Sequence, residues 1–245
     1  MIRGIYTNAG AMLSNQLKQE ITANNIANVN TTGYKKDGVF RKYLVDHATV
    51  LRQNATDFKN LEDVDDVFTD FSQGALIPTE NPLDTAIDGS GFFAVQTPSG
   101  VLYTRNGNLS IDQNGFLMTG NGYLLQGNIG PIQVLGDEIA FNEDGGVFVD
   151  GALVDVIQIV DFPQPYQLNK IGDGLYEAAP GTAQIASTDQ FKLRQGFIEQ
   201  SNVEIIREMV EIIRVARDFE SNQKSITMQD ATVDRAVNDV GVVRR

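Results

Sequence analysis

With 245 residues, one or two domains and a sizeable core are expected, and the absence of cysteine excludes disulfides and thiol chemistry. The net charge of −13 is unevenly placed: residues 1–36 carry four basic side chains against Glu20, a net +3, residues 197–245 come to −2, and residues 37–196 hold −14. So acidic a middle argues against a nucleic-acid partner, and no stretch approaches the roughly 20 apolar residues that membrane insertion needs.

The N-terminus lacks a continuous apolar run with a cleavage site, so no ordinary signal peptide is expected. Residues 2–27 read as a helix. Ile2, Ile5, Ala9, Met12, Gln16, Gln19, Ala23 and Ile26 follow a spacing of three and four, and Leu13, Leu17 and Ile21 form a second row. The helix runs into an asparagine-rich stretch ending at Gly33 and Tyr34. Asparagine suits helix ends and turns, and Gly33 suits the left-handed residue after a helix. Asn24 and Asn28, one turn apart, are read as an amide network fixing the register of packed helices.

Residues 35–70 are charged and read as an extended or partly helical connector. It holds the one histidine, His47, which has no second histidine or cysteine beside it for a metal or general-base role. From residue 71 to 198 the periodicity changes. Asx-Gly pairs recur at Asp88-Gly89, Asn106-Gly107, Asn114-Gly115, Asn121-Gly122, Asp144-Gly145, Asp150-Gly151 and Asp173-Gly174. Short β-type runs lie between them at 92–97, 101–105, 116–119, 123–126, 132–135, 147–149 and 153–162. An antiparallel β domain is expected here, sandwich-like or partly closed.

The last stretch, 201–243, has no proline. Ser201 and Glu204 have capping-box spacing, and an apolar residue returns every seventh position: Ile205, Ile212, Phe219, Ile226, Val233 and Val240. Sites four residues later read Met209, Ala216, Gln223, Asp230 and Val237. Val203, Ile206, Val210 and Ile213 make a second apolar row. A helix apolar on two sides needs several neighbours. The expected fold is therefore α+β: long N- and C-terminal helices pairing as a coiled coil, with an all-β antiparallel domain inserted. The expected divisions are 1–34, 35–70 (connector), 71–198 (β domain) and 199–245.

Chemistry finds little footing. The carboxylates sit mainly beside glycines in turns, and nothing singles out an acid pair. Gly89-Ser90-Gly91 lacks the lysine of a phosphate loop, and no Ser-His-Asp set or zinc cluster is available. No catalytic residue, metal or cofactor is expected.

Ala23-Asn-Asn-Ile-Ala-Asn-Val-Asn-Thr-Thr-Gly-Tyr34 after an N-terminal helix resembles the signature of bacterial flagellar rod and hook proteins. Asp70-Phe-Ser-Gln-Gly-Ala-Leu76, Ile87-Asp-Gly-Ser-Gly-Phe-Phe93, Tyr103-Thr-Arg-Asn-Gly107 and Glu199-Gln-Ser-Asn-Val203 continue the likeness, which covers about 1–43, 70–127 and 190–245. Thr7-Asn-Ala-Gly-Ala-Met12 departs from it, since the family more often has a run ending Ser-Gly-Met. The resemblance implies a structural rod subunit of the basal body, exported through the flagellar type III apparatus without a cleaved signal to the periplasm or cell-wall space. Its terminal helices would pack with those of other copies and of neighbouring rod and hook proteins into a tube that transmits torque. Brevity leans towards the proximal over the distal rod type. The assembly interface would use Ile5, Met12, Asn24, Asn25, Asn28, Asn30 and Gly33 at the N-terminal end. At the C-terminal end it would use Ile205, Met209, Ile212, Ala216, Phe219, Ile226 and Val233. The rival readings are a carboxylate-based hydrolase with a helical dimerisation module and a coiled-coil surface adhesin.

Overall fold

The computed structural model describes residues 2–41, 65–136, 138–182, 185–186, 191–235 and 238. His47, Val237 and Val240 lie outside them. The chain divides into two compact units. One comprises Met1–Ala27, Lys36–Asp70 and Val203–Arg245; the other comprises Asn28–Lys35 and Phe71–Asn202.

The helical unit contains α1 (Ile2–Ala27), α2 (Ile205–Arg235) and an antiparallel ribbon of β1 (Asp37–Arg41) and β2 (Asp65–Thr69). The ribbon, at the ends of the expected connector, pairs Asp37 with Thr69 through to Arg41 with Asp65. The helix expected from Ser201 begins at Ile205 instead. The Glu208 N–H donates to the Glu204 carbonyl, closing the first turn one residue before the helix proper. Arg207 meets the Glu204 carboxylate at 2.9 Å. Ser201 and Asn202 belong instead to the β unit, where the Asn202 amide donates to the Ser72 carbonyl and hydroxyl.

The β unit is antiparallel throughout its described pairs. It opens with β3 (Leu76–Pro78), β4 (Thr85–Gly89), β5 (Phe92–Thr97) and β6 (Gly100–Thr104). Then come β7 (Leu109–Ile111), β8 (Leu117–Thr119), β9 (Leu124–Leu125), β10 (Ile139–Phe141), β11 (Gly146–Val149) and β12 (Ala152–Val156). It closes with β13 (Ile159–Asp161), β14 (Leu168–Gly172), β15 (Leu175–Ala178), β16 (Ile185–Ala186), β17 (Phe191–Gln195) and β18 (Phe197–Glu199). The main sheet runs β14-β15-β6-β5-β9-β8-β7, with β13 joining β5 to β16, while β10-β11-β12 form a separate meander. β17 pairs with β4 and β18 with β3, so the exit of the unit is laid against its entrance.

Strand β5 shows why this holds. Phe93 and Val95 enter a cluster with Leu117, Leu125, Ile132 and Val147, while Phe92 and Ala94, pointing the other way, join Tyr103, Phe162 and Tyr176. Burial of this second, aromatic cluster pushes the Tyr103 phenol above its ordinary range. Two of the Asx-Gly pairs are hairpin turns in which both residues have positive φ: Asp150 (50°) with Gly151 (82°), and Asp173 (52°) with Gly174 (70°). The run expected at 153–162 is split, because Ile157 leaves the ladder to bridge Gly127. The run at 132–135 forms only an isolated bridge at Gln133.

Candidate assembly interface

Flanked by the half-buried Glu211 and Ser225, a row of residues in α2 has reduced exposure: Glu208, Ile212, Val215, Phe219, Asn222, Ile226, Gln229 and Val233. They advance by four and three, so one continuous row lies inward. The predicted seventh-residue sites Ile212, Phe219, Ile226 and Val233 are half-buried on it, and Ile205, at its head, is exposed. Their interleaved companions are the residues three positions on, Val215, Asn222 and Gln229, rather than those four positions on. Met209 and Ala216 are exposed. The sequence fits either seam; the placement of α1 selects between them.

On α1 the fully buried residues are polar, with Leu17, Ile21 and Ile26 half-buried beside them. Ser14, Asn15, Thr22 and Asn25 are buried, whereas Leu13 is 69 % exposed and Gln16, Gln19 and Ala23 of the predicted row are exposed. Met12 is half-buried, and the side chain of Ile5 lies outside the described residues. A groove of about 380 Å³ between the helices is lined by Asn15, Lys18, Glu211, Arg214, Asp218 and Asn222, among others. Val215 is the buried hydrophobic residue of α2. Outside, Ile206 is 75 % exposed, Val210 61 %, Ile213 54 % and Met209 48 %. The helical unit thus sets buried polar groups of α1 beside an apolar row of α2 and leaves a further run of large apolar side chains exposed.

The asparagine-rich signature serves both units. Asn25, between the expected pair Asn24 and Asn28, is the buried asparagine of the signature. The Asn25 amide donates to the Asp37 carbonyl at 2.8 Å and accepts from the Asp37 N–H at 3.0 Å, as a neighbouring strand would at the edge of β1. It also reaches the Glu208 carboxylate of α2 at 3.5 Å. Asn24 and Asn30 are exposed, and the half-buried Asn28 accepts from the Thr31 hydroxyl at the helix end.

From Asn28 onward the signature lies in the β unit. The Gly33 N–H donates to the Glu199 carbonyl at 2.8 Å. Gly33 has φ 69°, and a Cβ there would come within 2.5 Å of the Arg105 carbonyl carbon, so two independent constraints demand glycine. Tyr34 is buried beneath the Lys170 ammonium, 3.8 Å from its ring centre. Lys35, assigned by sequence to a charged connector, is fully buried: its ammonium donates to the Glu199 carboxylate and, at 2.7 Å, to the Ser72 carbonyl. Arg105 meets the other Glu199 oxygen at 3.3 Å, donates to the Gly89 carbonyl at 2.9 Å, and stacks 5.1 Å from the Phe92 ring centre. Sequence reasoning missed this cluster. Its signal was three charged residues inside or beside conspicuous motifs, at positions where a turn needs no charge.

Fold and site together define an α+β protein in which the chain ends build a helical unit and the middle builds an antiparallel β unit. Family models match three parts of the chain. Residues 5–35 match the model for flagella basal body rod protein, 86–149 the D1 domain of flagellar hook protein FlgE/F/G, and 194–239 the C-terminal region of flagellar basal body rod FlgEFG protein. The chain is similar to the flagellar basal-body rod protein FlgG of Bacillus subtilis, 35 % identical with 97 % of this chain and 99 % of that protein covered. It is 33 % identical to the FlgG of Borreliella burgdorferi, over 97 % and 98 %. It is 28 % identical to the FlgF of Mesorhizobium japonicum, over 97 % of both. The chain belongs to the flagellar basal-body rod protein family, which is structural and non-enzymatic.

Proposed function

We propose that this chain is a self-assembling subunit of the flagellar rod. Its terminal helices stack with those of other copies and of neighbouring rod and hook proteins into an axial tube that carries torque from motor to hook. The observation that carries this reading is the arrangement of α1 and α2. Ile206, Met209, Val210 and Ile213 face outward while Ser14, Asn15, Thr22 and Asn25 face inward. Burying each such large apolar side chain contributes roughly 1.5–3 kcal/mol. A pair that leaves several uncovered gains more from further copies than from itself, and loose pairing before assembly with ordering on stacking follows. The interface between copies then comprises the outward Ile205, Ile206, Met209, Val210, Ile213 and Ala216, while the half-buried Ile212, Phe219, Ile226 and Val233 hold α2 to α1. Export through the flagellar apparatus and residence outside the cytoplasm complete the proposal. Brevity, which favours the proximal type, does not separate this chain from its FlgG-named relatives, because it covers them almost end to end. We assign it to their type.

Deletion of the gene, with electron microscopy of isolated basal bodies, tests the function. Non-motile cells with rods truncated below the hook, restored by the gene in trans, are expected. Complete rods and normal swimming would overturn the reading.

A further inference from the structure

The chain passes between its two units at four places, after residues 27, 35, 70 and 202. Three of those passages are flanked, inside the β unit, by segments that converge on Glu199. Lys35, at the end of the first segment, and Gly33 both donate to it: the lysine ammonium to the side chain and the glycine N–H to the carbonyl. The second segment contributes the Gly74 N–H, which donates to the Glu199 carboxylate at 2.9 Å, and the Ser72 carbonyl, which accepts from Lys35. The third contains Glu199 itself. Lys35 and Glu199 are 164 positions apart in the sequence.

We propose that Glu199 is a register lock: one buried carboxylate fixes the sliding position of the three segments where the chain leaves and re-enters the β unit. The pairing of β18 with β3 is only three residues long, and a short ladder specifies register weakly. Slippage by one residue would strip Glu199 from Lys35 and Arg105 and leave two buried cations without their anion. A buried ion pair is no better for stability than well-packed apolar residues of the same volume, but it is far less tolerant of displacement. Its use at this position, rather than in either hydrophobic cluster, points to registration as the role. Lys170, donating to the Lys35 carbonyl at 2.9 Å, holds the first segment from its other side. This inference stands apart from rod assembly, because it concerns the isolated chain.

Hydrogen exchange followed by mass spectrometry on the purified full-length chain tests it. Lys35→Met keeps the Arg105–Glu199 pair. Exchange at residues 33–35, 72–74 and 199–202 should rise at least tenfold more than in β5 and β6. Glu199→Gln should raise it further at the same three segments. Equal acceleration in β5 and β6 would mark an ordinary contribution to stability and overturn the lock, as would unchanged exchange at the three segments. If Glu199→Gln unfolds the unit outright, the Lys35→Met comparison decides alone.

Discussion

Gly33 is where residue chemistry is least negotiable. A left-handed backbone costs a side-chain-bearing residue roughly 1–2 kcal/mol, and here the added Cβ would also strike the Arg105 carbonyl. Gly33→Ala should therefore destabilise the β unit by more than about 2 kcal/mol, read as a lowered denaturant midpoint. An unchanged midpoint would mean that residues 28–35 do not dock as described. Asp112 offers a second residue-scale expectation. Its carboxylate accepts the Phe116 and Asn114 N–H groups, both at 2.8 Å, and the Phe116 bond is the main cause holding its pKa below the ordinary 3.8. A depressed folded value means the bonds stabilise the turn fully above the ordinary carboxylate range and release it as pH falls through the lowered pKa. In an NMR titration the Asn114 and Phe116 amide resonances should move with a midpoint below 3.8. A midpoint at or above that value would contradict the assignment.

At the scale of elements, the two faces of α2 should separate pairing from assembly. Val215→Ala removes two methyl-sized groups from the inward row, a loss of about 1.6 kcal/mol at about 0.8 kcal/mol for each, and should loosen α2 against α1. Ile213→Asp alters a side chain that is 54 % exposed, so circular dichroism of the monomer should be unchanged while incorporation into rods fails. Should Ile213→Asp cells swim normally, the outward row is not an interface. Much of this was legible in sequence. The extent of α1, the strand at Phe92–Thr97 and the Asx-Gly turns follow from periodicity and local chemistry. Of the seventh-residue row of α2, Ile212, Phe219, Ile226 and Val233 are half-buried, while Ile205 is exposed. The fully buried residues of α1 fall outside the predicted rows, because periodicity marks where apolar surface lies, not which partner covers it. The partners of Asn25 and Lys35 were equally hidden. Each residue acts through a partner brought close only by folding, Asp37 for one and Glu199 for the other, and composition reads Lys35 as a surface residue.

For the whole molecule, charge divides as the units do. The β unit, 28–35 and 71–202, has five basic and fifteen acidic residues, a net −10, leaving −3 for the helical unit. Among the described cations of the β unit, Lys192 is engaged with Glu143 and Arg194 with Asp88, each at 2.8 Å, while Lys35 and Arg105 are buried on Glu199. Copies brought together through nearly neutral helices must still bring their acidic units near one another. Salt screens such repulsion within about 8 Å at physiological ionic strength, so the purified chain should associate more readily as salt rises. Light scattering that falls with added salt would show attraction between opposite charges to be the stronger force.

The most direct measurement uses the absence of cysteine from the natural chain. A single cysteine in place of Met209, on the outward face of α2, is introduced into motile cells, and their isolated basal bodies are treated with a short thiol-to-thiol cross-linker. Dimers of the chain, or covalent pairs with a neighbouring rod protein, are the predicted result, with a cysteine at the inward Val215 giving none. Swimming cells whose rods contain the Met209→Cys chain but yield no cross-link would show that the exposed apolar face is not where subunits meet.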